Sequence, residues 1–143
     1  MLSAPDLLLV EDNNATGTLI LSALSYVTPA PRCQIVPSGE AALSVLSAAE
    51  GPAQWPRLIV LDLILPGMSG FSLLRHLSDH PQLCRIPVVV LSVSHAEDDI
   101  LASYKGYASS YLVKPHTFDD WVHMFQALLD FWLRTATLVP RRL

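Results

Sequence analysis

The chain has 143 residues, of which 51% are hydrophobic and 15% are charged, and its formal net charge is -4. This composition excludes a disordered chain, and the length fits one domain. The negative charge and the lack of a basic cluster disfavour binding to nucleic acid or to an anionic membrane. Cys33 and Cys84 have no metal-ligand spacing, no segment resembles a secretory signal, and no apolar run approaches the roughly 20 residues of a membrane helix. We therefore expect a cytoplasmic protein with reduced thiols.

Short apolar segments alternate with helical patterns along the chain. The apolar segments are residues 6–10, 32–37, 57–62, 86–93 and 110–113. Candidate helix starts lie between them: Asn13 or Asn14, Ser38, Ser69-Gly70, and the capping boxes Ser94-x-x-Glu97 and Thr117-x-x-Asp120. This alternation predicts an α/β fold, in which a parallel sheet carries helices on both faces.

Polar residues stand at the downstream ends of four of the apolar segments. They are Glu11 and Asp12, Asp62, Ser92, and Lys114. In parallel sheets, sites form outside the carboxyl ends of the strands, so we expect these side chains to converge. Each residue also has an ordinary explanation: Asp12 could cap the first helix, Ser92 could bond nearby backbone, and Lys114 could be a surface lysine. The repetition at equivalent ends favours a common site.

Three carboxylates at one site repel one another unless cations neutralise them. Oxygen ligands of this kind suit Mg²⁺, and Lys114 would add a second positive charge. Metal, ammonium and hydroxyl groups are also what phosphoryl transfer requires, because they stabilise charge on the transferred oxygens. The sequence thus indicates a phosphoryl-transfer site with Asp62 as the nucleophile.

Four stretches of this sequence resemble the response-regulator receiver domain, the CheY-like family of two-component signalling. They are residues 7–13, 61–70, 90–92 and 111–115, and the whole resemblance spans about residues 6–133. It implies a doubly wound, flavodoxin-like sheet of five parallel strands in the order 2-1-3-4-5. It also implies one receiver domain over residues 1–143, with a carboxyl-terminal extension at about 134–143.

The resemblance implies a role for each site residue. Asp62 would accept a phosphoryl group from the phosphohistidine of a sensor histidine kinase. Asp12, Asp62 and the backbone carbonyl of Ile64 would ligate Mg²⁺, with Glu11 acting mainly through a metal-bound water. Ser92 and Lys114 would contact the phosphoryl oxygens, together with the amides of Ile64 and Val93. The family usually has a cis bond where this chain has Lys114-Pro115.

The output surface implied by the resemblance is the fourth helix, fifth strand and fifth helix. Tyr111 matches the aromatic switch that turns inward when Ser92 moves towards phosphate. Tyr104 and Tyr107 lie on or near that surface, and we expect Tyr107 to pack against the sheet edge. Ile64 is apolar where many relatives are polar, so it could obstruct the attacking water and lengthen the acyl-phosphate lifetime.

The apolar arc of the last helix, over residues 117–133, spans roughly 200°, against the roughly 100° that a surface helix usually buries. We expect a second copy to cover the excess, giving a homodimer through the helix and tail. The interface residues would be Met124, Leu128, Phe131, Leu133 and Leu138. The alternative is that the tail folds back over its own helix. Residues 131–138 and 99–104 resemble the stand-alone regulators that pair with bacterial phytochromes, which suggests such a kinase as partner.

Three other functions fit less well. A flavodoxin-type nucleotide binder should have a loop rich in Gly, Ser and Thr after the first strand, where this chain has Glu11-Asp12-Asn13. A phosphatase of the haloacid dehalogenase type should carry an acid at the position of Ile64. A degenerate receiver that serves only for docking should lack part of the five-residue set.

Overall fold

The computed structural model describes residues 4–141. Five strands alternate with five helices: β1 Leu7–Val10, α1 Asn14–Leu24, β2 Cys33–Val36, α2 Gly39–Ala48, β3 Leu58–Leu61, α3 Gly70–Asp79, β4 Val88–Ser92, α4 Glu97–Lys105, β5 Ser110–Val113 and α5 Phe118–Leu129. All strand pairs are parallel, in the order β2-β1-β3-β4-β5. The expected fold and strand order are confirmed, and every strand end lies at the predicted residue or at most two residues inside it.

The sheet is buried on both faces, because the central strands alternate their side chains between two apolar layers. Leu8, Val10, Ile59 and Leu61 pack towards α2 and α3. Their neighbours Leu7, Leu9, Leu58 and Val60 pack towards α1 and α5, where Phe125 is fully buried. This explains why β1 and β3 read as continuous apolar runs in the sequence.

Side-chain caps begin four of the five helices, as predicted. The side chains of Asn13, Ser38, Ser69 and Thr117 accept hydrogen bonds from backbone N–H groups in the first turns of α1, α2, α3 and α5. The prediction of a Ser94 cap for α4 is wrong. Ala96 occupies the cap position without a side-chain bond. The Ser94 hydroxyl donates to the Asp99 carboxylate at 2.6 Å and accepts from the Ala96 N–H at 3.1 Å, so its oxygen bonds to the chain just before the helix and not to the first turn.

Beyond α5 the chain continues as a π-helical segment, Asp130–Thr135, and then as an extended tail. The tail packs at the start of β3, beside Trp55 and Arg57, whereas the alternative to a second copy had placed it over its own helix. Arg57 donates to the Leu133 carbonyl at 2.7 Å, and Arg141 donates to the Trp55 carbonyl at 2.8 Å. The tail therefore covers the amino end of the sheet, on the side opposite to the polar strand ends.

Candidate phosphoacceptor site

The carboxyl ends of β1, β3, β4 and β5 bring all five predicted residues to one edge of the sheet. Glu11 and Asp62 lie directly beyond two buried strands and are 4% and 8% exposed, while Ser92, the last residue of β4, is fully buried. Asp12 is exposed. Because the β1–β3 pair is where the strand order reverses, the acids occupy the crevice at which doubly wound sheets bind ligands.

Lys114 holds two of the acids together. Its Nζ atom lies 2.8 Å from Glu11 Oε1 and 2.9 Å from Asp62 Oδ2. Burial acts to lower the pKa of Lys114, but the hydrogen bonds and charges of the two carboxylates outweigh it and raise that pKa. Lys114 is therefore a stable cation beside the predicted nucleophile.

For Glu11, the effect of burial on the pKa is larger than the effect of Lys114. Burial raises its pKa, and the hydrogen bond and charge of Lys114 only partly offset this effect. The backbone N–H of Asn13 also donates to Glu11 Oε2 at 3.2 Å, so both carboxylate oxygens have donors. The structure thus keeps a buried carboxylate on the floor of the site by bonding it twice.

The three acids form a set that suits a divalent cation. Glu11, Asp12 and Asp62 each offer a carboxylate oxygen, and these oxygens lie within 4.8 Å of one another. Three carboxylates face one ammonium group, so two negative charges remain unbalanced. Hard oxygen donors with this excess charge match Mg²⁺. The residues present therefore fit the expected cofactor.

The loop after β3 carries the remaining backbone groups. The N–H of Ile64 donates to Asp62 Oδ1 at 3.0 Å, and the Ile64 side chain is 68% exposed above the site. The cis bond expected at Lys114-Pro115 is not found: among residues 4–141 the one cis peptide bond is at Thr28–Pro29. The trans isomer is the intrinsically preferred form of an X-Pro bond. In this isomer the Lys114 ammonium group donates hydrogen bonds to both Glu11 and Asp62.

Ser92 is linked to the predicted switch residue through Ser94. The Ser92 hydroxyl accepts from the Ser94 N–H at 3.3 Å, and the Tyr111 hydroxyl donates to the Ser94 carbonyl at 3.0 Å. The Tyr111 ring packs beside the core, and its backbone N–H donates to the Tyr104 hydroxyl at 3.1 Å. Two hydrogen bonds through Ser94 therefore connect Ser92 with Tyr111 on β5.

The expectation that Tyr107 packs on the sheet edge is wrong. Tyr107 follows the end of α4 with a φ of 71°, and its side chain is 79% exposed. A left-handed residue just after a helix turns the chain sharply, and here that turn directs the ring into solvent.

Sequence reasoning missed Glu40 as a residue that supports the site. Its carboxylate accepts from the Met68 N–H at 2.9 Å, which ties the start of α2 to the loop after Asp62. Gly67, with a φ of 68°, passes so close that an added Cβ would lie 2.6 Å from Glu40 Oε2. The Pro66-Gly67 turn was the only local signal of this contact in the sequence, and it did not identify the partner.

Comparison with known proteins agrees with this geometry. Residues 7–126 match the model of the response regulator receiver domain. The chain therefore belongs to that family: it is a two-component signalling protein that is phosphorylated on an aspartate, uses Mg²⁺ at its acidic cluster and has a histidine kinase as its partner.

Particular relatives extend the likeness over nearly the whole chain. The chain is 40% identical to the response regulator Rcp1 of Synechocystis sp. over 134 residues, which cover 92% of this chain and 91% of Rcp1. The structure of the phosphorylated cyanobacterial phytochrome response regulator RcpA aligns with a TM-score of 0.85 at 38% identity, covering 96% of this chain and all of RcpA. The Mn²⁺-bound structure of Rcp1 aligns with a TM-score of 0.80 at 39% identity, covering 94% and 98%.

Within residues 4–141, none of the helices is both long and apolar enough to cross a membrane.

Proposed function

We propose that Asp62 is the phosphoacceptor and that the donor is a phosphohistidine of a sensor kinase, such as a bacterial phytochrome. The observation that carries this proposal is the position of Asp62, a buried carboxylate bonded to Lys114 and to the Ile64 N–H within the acidic cluster. The likeness to RcpA, a phytochrome response regulator, supports the kinase class.

In the proposed reaction a carboxylate oxygen of Asp62 attacks the phosphorus atom. The P–N bond to the imidazole breaks, and its electron pair remains on the imidazole nitrogen, so an acyl phosphate replaces the phosphohistidine. Mg²⁺ bound at the acidic cluster would supply positive charge to stabilise the phosphoryl oxygens. Lys114 moves from the carboxylate to a phosphoryl oxygen, and the Ile64 and Val93 amides and the Ser92 hydroxyl donate to the others.

The metal would be held by Asp12, Asp62 and the Ile64 carbonyl, with Glu11 acting mainly through a bound water. The exposed Asp12 offers the most accessible oxygen. These residues would also let the protein assist its own phosphorylation by a small donor, because the groups that stabilise the transferred phosphoryl belong to this chain.

The simplest test is incubation with Mg²⁺ and acetyl phosphate, followed by intact-mass analysis. We expect one phosphoryl addition in the wild type and none in Asp62→Asn. Asp79→Asn is a matched control, because Asp79 is an exposed aspartate at the end of α3. Labelling that persists in Asp62→Asn would contradict the assignment of the acceptor.

Transfer from a purified bacterial phytochrome kinase tests the partner. We expect this kinase to label the wild type faster than an unrelated sensor kinase does at equal concentration. A cavity of about 300 Å³ lies beside Lys114, the cation bonded to Asp62, and is lined by Thr16, Val93, Pro115 and Trp121 among others. Equal rates from both kinases would argue against a phytochrome partner while leaving Asp62 as the acceptor.

The exposed Ile64 side chain should shield the acyl phosphate from water. Ile64→Asn would replace this apolar cover with an amide that can position a water molecule, so we expect faster loss of the phosphoryl group. The measurement is the decay of the labelled mass after removal of acetyl phosphate. An unchanged decay rate would dismiss a role for this side chain.

Output is proposed to pass through the α4, β5 and α5 face. When Ser92 turns to the phosphoryl group, the Ser94 N–H loses its acceptor, and Tyr111 must follow the Ser94 carbonyl. The phosphoryl group carries a charge of about -1.5 to -2 where the Asp62 carboxylate carried about -1, and its oxygens extend towards Ser92, so we take the electrostatic pull on the hydroxyl as the origin of the movement. The acidic chain would signal without contacting nucleic acid.

A homodimer through the last helix remains a proposal, and the structure changes which residues could form it. Met124, Leu128 and Phe131 line a groove of about 400 Å³ between α5 and the edge strand β5, and Phe131 is 50% exposed. Leu133 and Leu138 are half-buried, and Leu138 lines a different cavity at the amino end of the sheet. We therefore place the interface on the α5–β5 groove.

Light scattering distinguishes the two states. Phe131→Ser should yield a monomer, because it removes the most exposed aromatic ring of the groove. Phe118→Ser is the matched control: Phe118 is also exposed on α5 but stacks edge-on against Tyr26 near α1. A mass unaffected by Phe131→Ser would refute this interface.

A further inference from the structure

A cavity of about 230 Å³ lies at the amino ends of the strands, opposite to the phosphoacceptor site. We call it the basal cavity. Its walls are the turn Pro52–Gln54 with the chain leading into β3, the turn Leu83–Arg85 with the chain leading into β4, and the returning tail. The apolar part of its lining includes Trp55, Ile86, Leu138 and Pro140. The known chemistry of a receiver domain does not use this end of the sheet.

Three arginines, Arg57, Arg85 and Arg141, line the basal cavity. Arg57 and Arg141 each donate one hydrogen bond to a backbone carbonyl, of Leu133 and Trp55 respectively. A guanidinium group has five N–H donors, so within residues 4–141 most of the donors of these two side chains have no protein acceptor. Within residues 4–141 no carboxylate forms an ion pair with any of the three.

The electrostatics of the basal cavity favour an anion. Arg57 and Arg141 are both half-buried. The pKa of Arg141 is lowered, first by burial and then by the charge of Arg57, and the charge of Asp6 raises it only weakly. Like charges held together away from bulk water destabilise each other, and a bound anion would remove that cost. The cavity is thus complementary to negative charge in a chain whose net charge is -4.

We propose that the basal cavity binds a small carboxylate that carries an apolar group. The guanidinium fork matches the two oxygens of a carboxylate, and the indole and proline walls match an apolar body. A volume of about 230 Å³ accommodates a small molecule but no helix or folded peptide. The bound carboxylate bridges Arg85 of the body and Arg141 of the tail, so binding fastens the tail to the sheet.

Calorimetry with three probes tests the chemistry of the ligand. Naphthoate carries both features, naphthamide has the same ring without the charge, and acetate has the charge without the ring. We expect naphthoate to bind at least tenfold more tightly than either of the others. Equal affinity for naphthamide, or the absence of naphthoate binding at millimolar concentration, would overturn the proposal.

Substitutions of single arginines test whether naphthoate binds in the basal cavity. Arg85→Gln is the best variant, because the Arg85 side chain is exposed at its turn and makes no hydrogen bond in the described part of the chain. It should weaken naphthoate binding about tenfold. Arg75→Gln, an exposed arginine of α3 that does not line the cavity, should leave the affinity unchanged. Equal effects of the two substitutions would place the probe elsewhere and refute the site.

Fluorescence provides an independent readout, because Trp55 lines the basal cavity while the other two tryptophans, Trp121 and Trp132, pack with the other core layer. Naphthoate should quench the wild type and leave Trp55→Phe largely unquenched. Labelling of Asp62 by acetyl phosphate should continue in Arg85→Gln, which shows that the variant is folded. Quenching that survives in Trp55→Phe would count against the basal cavity.

Discussion

A substitution that removes the ammonium group of Lys114 should destabilise the metal-free protein more than any other substitution that removes a single charge. Lys114 is 14% exposed and its two partners are 2% and 10% exposed, so Lys114→Met leaves two buried carboxylates with no cation. Each ion pair, at 2.8 and 2.9 Å, is worth about 6 kcal/mol before desolvation at an effective dielectric constant of about 20.

Desolvation offsets most of that attraction, and breaking a buried pair from one side costs about 3–5 kcal/mol. At this chain length each kcal/mol shifts the melting temperature by about 3 °C, so we expect a fall of roughly 10–15 °C. Mg²⁺ should stabilise Lys114→Met more than it stabilises the wild type, because the variant carries one more unbalanced negative charge.

The assay is urea unfolding followed by circular dichroism near neutral pH, with EDTA and then with Mg²⁺. Lys105→Met is the matched control, since Lys105 is the other lysine of the chain and lies exposed at the end of α4. If the two substitutions cost the same free energy of unfolding, Lys114 does not neutralise a buried acid pair and the electrostatic account of the site fails.

Four further outcomes are expected. Burial raises the pKa of Glu11 above its usual 4.5, so the folded state holds that proton more tightly than the unfolded chain does. The free energy of unfolding of the metal-free protein should therefore fall as the pH rises from the unfolded pKa of Glu11 through its folded pKa. Glu11→Gln should remove this part of the pH dependence, as measured by urea unfolding at several pH values. Gly70→Ala would push a methyl group into the Asp62 and Leu63 backbone, so we expect a loss of at least about 2 kcal/mol by the same method. Glu40→Gln weakens a charged hydrogen bond by about 1 kcal/mol and should slow labelling by acetyl phosphate up to about fivefold, as measured by intact mass. Burial raises the pKa of Cys33 to about 12, so iodoacetamide at pH 8 should alkylate the exposed Cys84 and spare Cys33, as peptide mapping would show.

The convergence of the candidate site residues at one edge of the sheet could be predicted from the sequence, because it follows from local pattern. Asp62 stands directly after a strand that is apolar at every position, and parallel strands end at one edge of a sheet. The same rule located Glu11, Ser92 and Lys114 without knowledge of any tertiary contact. Cap residues such as Ser38 were also predictable, since a cap bonds to the backbone three residues away.

Contacts between distant segments were not predictable in this way. Glu40 bonds to Met68, 28 residues later, and Arg57 bonds to Leu133, 76 residues later. Neither pair has a sequence spacing that signals contact, because loops and tails have no periodicity. The predicted helix start at Ser94 was wrong because its hydroxyl accepts from the N–H of Ala96, two residues later, and donates to Asp99, neither of which the capping pattern considers.

The three acids of the site are not equivalent, and this determines how the site can be loaded. Both oxygens of Glu11 and both oxygens of Asp62 already accept hydrogen bonds, whereas Asp12 is exposed. Asp12 would therefore be the carboxylate most accessible to a cation, and Asp62 would ligate one only in competition with Lys114. Positive charge at Asp62 would weaken its bond to Lys114, whose ammonium group would then be available to a phosphoryl oxygen. The proposed roles of Lys114 and of the metal ligands are thus coupled through the oxygens of Asp62.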